Sequence, residues 1–327
     1  MKYTMKQMAM LLCAGLFIAA CGFGMAGFDY RNLSTKGVYE MNHFDTNAQS
    51  LRSILIQDKD ARVVLTPSGD DQVYVEYDER EDERYTVSTD ASGVLSIIYD
   101  APRGINFLTH LFELDWNVRT LTVAIPANSN LPVNASTTNG TIVANGLTLG
   151  NLSLKTSNGK IEARDLTAPA IDITTSNGRL SLERLAATTN LSAQTSNGRM
   201  ELSHITAQTI VTRTSNASVT LNDVHATGRI DATSSNGRMT LDGVTAPVVK
   251  THTSNASIRL NAVDAQSLDI KSGNGSIHAA LAGSQADYTI TSSTINGKNN
   301  LPSGGSGSRT LTIKTSNASI NVTFAAR

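Results

Sequence analysis

The chain has two cysteines in 327 residues, no excess of either charge, and no apolar run long enough to cross a bilayer as a helix. Each shortage removes a class of protein. Cys13 sits inside a leader that cleavage would remove, which leaves Cys21 without a partner and the fold without an internal disulfide. The 27 basic and 28 acidic residues nearly cancel, and nucleic-acid binding asks for a basic surplus. No Ser-His-Asp order, zinc-ligand spacing or phosphate-binding glycine loop occurs, so no cofactor and no resident metal are expected.

What the chain does have is a repeated phrase. An Asn followed by Gly or Ala recurs at Asn139, Asn158, Asn177, Asn197, Asn216, Asn236, Asn255, Asn274, Asn296 and Asn317, at intervals of 19–22 residues. A period of this size in a strand-rich, Gly-punctuated sequence marks a solenoid, in which no repeat buries its apolar face alone. With Asn158 as zero, apolar or small residues fall at Ile161, Ala163, Leu166, Ala168, Ile171 and Ile173, followed by Thr175. Most steps are two, the strand period. Three steps per copy are three, and each needs a corner if the next residues are to stay inside. The expected fold is therefore all-β: a single-stranded parallel β-solenoid with three-sided coils of 19–20 residues, right-handed by the crossover rule. Roughly ten coils at the sheet spacing make a rod of about 45–50 Å.

The 20-residue copies carry their extra residue before Leu191 and Ile230, both at the third corner, where an insertion breaks no ladder. The Asn is expected to face the core and form a ladder from Asn139 through Asn274, with Gly supplying a left-handed turn. Thr156, Thr175, Thr195, Thr214, Thr253 and Thr315 form a parallel inward column. Where Ala replaces Gly, at Ala217, Ala256 and Ala318, Ser always follows, and the corner should turn differently.

The front of the chain differs. Lys2 and Lys6 precede an apolar run from Met8 to Ala20, the pattern of a secretory leader over residues 1–20. Ile18-Ala19-Ala20-Cys21 resembles a bacterial lipobox, which implies lipidation of Cys21, a membrane partner through that anchor and, with Gly22 following, the outer membrane of the cell envelope. Residues 21–48 read as a tether, and 49–135 as irregular first coils without a separate core plus a cap. The mixed-sign run from Asp78 to Arg84 reads as a solvated loop. Residues 103–118, with Phe107, Leu111, Phe112 and the only Trp, Trp116, break the pattern and would cap the open core. Residues 136–327 hold the regular solenoid, interrupted near its end by a Gly- and Ser-rich loop at 303–308.

The phrases Thr156-Ser157-Asn158-Gly159-Lys160-Ile161 and Thr195-Ser196-Asn197-Gly198-Arg199-Met200 resemble the bacterial putative-adhesin family of Asn-Gly β-strand repeat domains. Leu121-Thr122-Val123-Ala124-Ile125-Pro126 looks like that family's usual opening strand. The resemblance covers roughly residues 50–324. It implies a cell-envelope β-solenoid, often secreted or membrane-attached, and carries over no catalytic residue.

Candidate chemistry is sparse. Lys160, Arg179, Arg199 and Arg238 share outward position +2 and form a stripe suited to an anionic ligand, with Glu162, Glu183 and Glu201 close by. Asp223 and Asp242 fall at +7 and +6 of adjacent copies, about 5–6 Å apart at one corner, with His204 and His225 near them. Paired carboxylates are the equipment of a glycosidase, although Asp and His at solenoid corners are commonly turn formers. An outward Ser column (Ser157, Ser176, Ser196, Ser215, Ser235, Ser254) lies beside the irregular +16 column, which spoils an ice-binding array. The sequence thus points to a non-enzymatic lipoprotein presenting a rigid surface to a glycan or an envelope protein. The alternative is a polysaccharide-active enzyme working at the Asp pair.

Overall fold

A computed structural model describes residues 39–80, 83–100 and 119–325, and within them all regular structure is β-strand apart from two short 3-10 turns. The leader, Cys21 and the expected cap at 103–118 lie outside the described residues.

The chain opens with β1 (Glu40–Asn47), β2 (Ser53–Gln57), β3 (Arg62–Ser68), β4 (Gln72–Glu79), β5 (Arg84–Thr89) and β6 (Val94–Asp100). It continues with β7 (Thr120–Pro126), β8 (Val133–Ser136), β9 (Ile142–Thr148) and β10 (Leu152–Lys155). Residues 40–47, expected to fall within the tether, are strand. They form β1, which pairs antiparallel with β4 along its whole length, and Phe44 packs on the core. β4 also runs antiparallel to β7, and β5 to β6, so the first coils carry antiparallel flaps that a plain solenoid lacks. The coil made by β2 and β3 is not outermost: β2 lies between β6 and β8, and β3 between β7 and β9.

That inner coil holds a copy of the corner phrase in disguise. Asp60 accepts the Asn139 side-chain amide at 2.6 Å, and the Thr138 and Asn139 backbone amides donate to the Lys59 carbonyl, as their counterparts do in later coils. Asp60-Ala61 stands in for Asn-Gly. Val63 and Leu65, buried at +3 and +5, were the signal.

The regular middle consists of β11 (Ile161–Thr174), β12 (Leu180–Gln194), β13 (Met200–Thr214), β14 (Val219–Ser234), β15 (Met239–Thr253) and β16 (Ile258–Ser272), each in parallel register with the next. Register shifts next to Asn190 and Arg229 place the two extra residues at the third corner. The first corner differs from the sequence expectation. Thr156 and Gly159 are buried, while Ser157 and Asn158 between them are exposed. The step of three therefore runs from Thr to Gly, and the Asn faces out. Apolar patterning could not see this, because the inward residue there has no side chain.

The glycine's role also differs from expectation. None of Gly159, Gly178 or Gly198 adopts a left-handed φ. A Cβ on Gly178 would lie 1.6 Å from the Gly159 carbonyl oxygen of the preceding coil, so the corner demands the absence of a side chain. The left-handed bend sits at +7, the second corner, where Gly146, Asp165, Arg184, His204, Asp223, Gly243 and Ala262 have φ of 49–70°. Gly146 and Gly243 take this angle without a Cβ penalty; the other five do not.

β17 (Ile277–Ala282), β18 (Tyr288–Ser293), β19 (Arg309–Lys314) and β20 (Ile320–Ala325) close the rod out of chain order. β19 is inserted between β16 and β18, while β20 lies outside β17. One apolar core runs from Leu51 to Val322. Between Trp116 and Tyr288 the sequence has no aromatic residue; the described aromatic contacts gather at the two ends. At the front, Arg119 lies 4.1 Å over the Tyr99 ring and pairs with Glu83 at 3.2 Å. At the back, Arg309 pairs with Asp264 at 2.8 Å and donates to the Tyr288 hydroxyl at 3.1 Å. Burial pushes the Tyr99 phenol up to about 12, and raises Tyr85 as well, with Asp58 adding to the effect on Tyr85.

Candidate functional surface

The exposed corner is a continuous amide ridge. From Asn158 to Asn255, each Asn donates its side-chain amide to the oxygen of the Asn on the preceding coil, at 2.7–2.8 Å. The ladder continues through Asn274, Asn317 and Asn296, in that spatial order, because the last coil is inserted. From Asn158 to Asn255 each amide uses one N–H and one lone pair on its ladder neighbours, which leaves its other N–H and lone pair for solvent or a ligand. Beneath the ridge, Thr156 Oγ1 accepts from the Gly159 amide at 3.1 Å and donates to the Gly140 carbonyl at 3.2 Å. Thr175, Thr195 and Thr253 bond back to the preceding coil's Gly in the same way. These four also donate to the Thr or Ser carbonyl two residues before that Gly, and Thr214, which precedes Ala217, keeps only this second bond, to Ser196, so this Ala corner gives up one inter-coil bond. The repeat thus fixes every outward position to its neighbour above and below.

The basic stripe is largely neutralised. Lys160 pairs with Glu162 at 2.9 Å, and both Arg179 and Arg199 pair with Glu201, at 2.5 and 3.7 Å. The Lys160 hydrogen bond holds the Glu162 carboxyl below its usual range. Arg238 is exposed and has no ion-pair partner among the described residues.

At the second corner Asp223 meets His204 and His225, but it does not face Asp242 as a carboxylate pair. The register sets Asn222, not Asp223, opposite Asp242. Asp223 is engaged by His225 at 3.0 Å and His204 at 3.6 Å, whereas Asp242 accepts from the Asn261 amide at 2.7 Å. The same corner two coils earlier holds Arg184 on Asp165 through two nitrogens, at 2.5 and 3.0 Å, which lowers the Asp165 pKa. These groups line the left-handed corner with an ion pair at Arg184 and polar contacts at Asp223 and Asp242. No cluster of three or more potential metal ligands occurs among the described residues.

A feature outside the repeated phrase lies on the first face, near the far end of the rod. There a shallow depression of about 410 Å³ is lined by Asp242, Arg259, Asn261, His278 and Asn321, among others. The signal was the +4 column. It reads Glu162 and Glu201 in earlier coils and Arg259 and His278 here.

Solved structures similar to the chain include a putative adhesin from Bacteroides fragilis NCTC 9343, at 14% identity with TM-score 0.33, covering 87% of this chain and 97% of that one. A putative adhesin from Parabacteroides distasonis ATCC 8503 is 12% identical with TM-score 0.40, again covering 87% and 97%. A putative lipid binding protein from the same Parabacteroides strain is 14% identical with TM-score 0.36, covering 88% and 97%. No curated protein matches the sequence. The Toastrack DUF4097 family matches residues 51–190 and again 187–326, two tandem matches that together span the coils described above. The chain belongs to the Toastrack DUF4097 family.

Proposed function

We propose that the protein is a non-enzymatic cell-envelope lipoprotein, held to the outer membrane through Cys21, whose rigid solenoid presents outward side chains to a glycan or an envelope protein. The observation that carries this reading is the hydrogen-bonded ridge. Thr, Gly and Asn in each coil lock it to the next at both backbone and side-chain level, so outward residues keep a fixed spacing of about 4.8 Å over the whole rod. A surface ordered in this way is preorganised for an extended partner and loses little entropy on binding. The lipobox at Cys21 supports the anchor, and the engagement of Asp223 by two histidines, away from Asp242, favours a binding surface over a hydrolytic pair.

Two measurements test the reading. Full-length protein is screened against a glycan array and cross-linked in envelope preparations. Saturable binding without turnover is expected, whereas polysaccharide cleavage that disappears in Asp242→Asn would overturn it. Cells fed radioactive palmitate should label the wild-type chain and not Cys21→Ser; an unlabelled wild-type chain rules out the anchor.

A further inference from the structure

We infer that the depression on the first face binds the carboxylate-bearing sugar of an acidic polysaccharide, with Arg259 as the anion-binding group. This deepens the reading above and rests on it.

The site is built by a break in the repeat. Thr240, Arg259, His278 and Asn321 stand directly above one another in register on β15, β16, β17 and β20. Just beyond this column the register between β16 and β17 shifts: Leu260 is opposite Ala279, but Val263 is opposite Leu281. Asn261 and Ala262 therefore face Ala280 alone, and Ala262 is held at a φ of 49°. A bulge of this kind re-aims side chains and opens the sheet surface, and the small Ala280 leaves the space unfilled. The β-bulge and the depression coincide.

The charges change at the same place. Two and more coils earlier, the cations on this side of the rod have glutamate partners, in the pairs Lys160–Glu162 and Arg179–Glu201. The Arg259 side chain has no ion-pair or hydrogen-bond partner among the described residues, and neither has the His278 side chain. The one carboxylate in the depression, Asp242, is already engaged by the Asn261 amide. An exposed guanidinium flanked by amides, with an acceptor carboxylate one strand away, matches a sugar acid. The guanidinium takes the carboxylate in a two-pronged contact, and Asp242, Asn261 and Asn321 take ring hydroxyls. The four-strand column is long enough for consecutive residues of an extended chain. With no Phe, Tyr or Trp among the residues lining the depression to stack on a neutral sugar face, recognition rests on charge and hydrogen bonding.

The test is calorimetric titration of the detergent-purified full-length chain with oligogalacturonate, its methyl-esterified form, and inorganic phosphate. Oligogalacturonate should bind, the ester should bind roughly tenfold more weakly, and Arg259→Gln should cost roughly tenfold, as expected for loss of one charged hydrogen-bonded contact. Arg213→Gln, an exposed cation on the third face, should leave binding unchanged, and the thermal midpoint of both variants should equal that of the wild type. Equal affinity for the ester, or full affinity in Arg259→Gln, overturns the inference while leaving a binding surface elsewhere on the rod. Phosphate binding as tightly as oligogalacturonate reassigns the site to a bare anion and overturns the sugar. If no acidic probe binds, the inference fails; the adhesin reading fails only if the array and the cross-linking are blank too.

Discussion

At the residue scale, three side-chain types divide the work of the first corner: Asn bonds sideways on the surface, Thr bonds from below, and Gly leaves room for the neighbouring carbonyl. The hydroxyls make the energetic point testable. Thr175 Oγ1 satisfies the Gly178 amide and the Gly159 carbonyl, both buried. Thr175→Val keeps the shape and strands both partners, which should destabilise by about 1–3 kcal/mol. Thr212, by contrast, is fully buried with its hydroxyl unpaired. Thr212→Val removes an unsatisfied group and should be neutral or stabilising. Denaturant unfolding of the two variants reads the difference, and a larger loss in Thr212→Val than in Thr175→Val would contradict this account. The period and the inward Thr column were legible in the sequence because they are side-chain patterns. The direction of the Asn was not, since the neighbouring inward position is a Gly and the alternation there is invisible.

At the scale of elements, a solenoid must dispose of two raw sheet edges, and each end here does so by tucking a strand inside. At the far end the loop after Asn296 completes the closure. Ile290 exchanges backbone bonds with Gly304, at 2.8 and 2.9 Å, which covers the free side of β18. Asn300 uses its side-chain amide as a substitute strand: it donates to the Val322 carbonyl and accepts from the Val322 amide, both at 2.9 Å. Asn300→Ala uncovers this edge at the end of the rod where Ile295 is already 80% exposed. Sedimentation should then show concentration-dependent association in the variant and not in the wild type; an unchanged sedimentation coefficient across concentration would show that the edge needs no cover. The insertion of β19 could not be read from the sequence. Asn296 and Asn317 follow in normal order and near-normal spacing, and nothing local records which of two equivalent strands lies closer to β16.

At the scale of the whole molecule, the rod is close to a sum of coils and coil-to-coil contacts, so its stability should be nearly additive in coil number. The corner phrase makes this a question of register. Deleting residues 178–197 joins Asn177 to Gly198, keeps every inward position inward, and sets Asn177 between Asn158 and Asn216 in the ladder. Such a protein should fold, melt within a few degrees of the wild type, and be shorter by about 4.8 Å in solution scattering. Deleting only 178–187 joins Asn177 to Thr188, which puts outward residues at inward positions on one face, and it should abolish cooperative melting. The two deletions also separate scaffold from site. The whole-coil variant leaves the bulge at Asn261 and the Arg259 column untouched and should bind oligogalacturonate as the wild type does. Loss of binding after a one-coil deletion would mean that the ligand spans much more of the rod than the four strands at its far end.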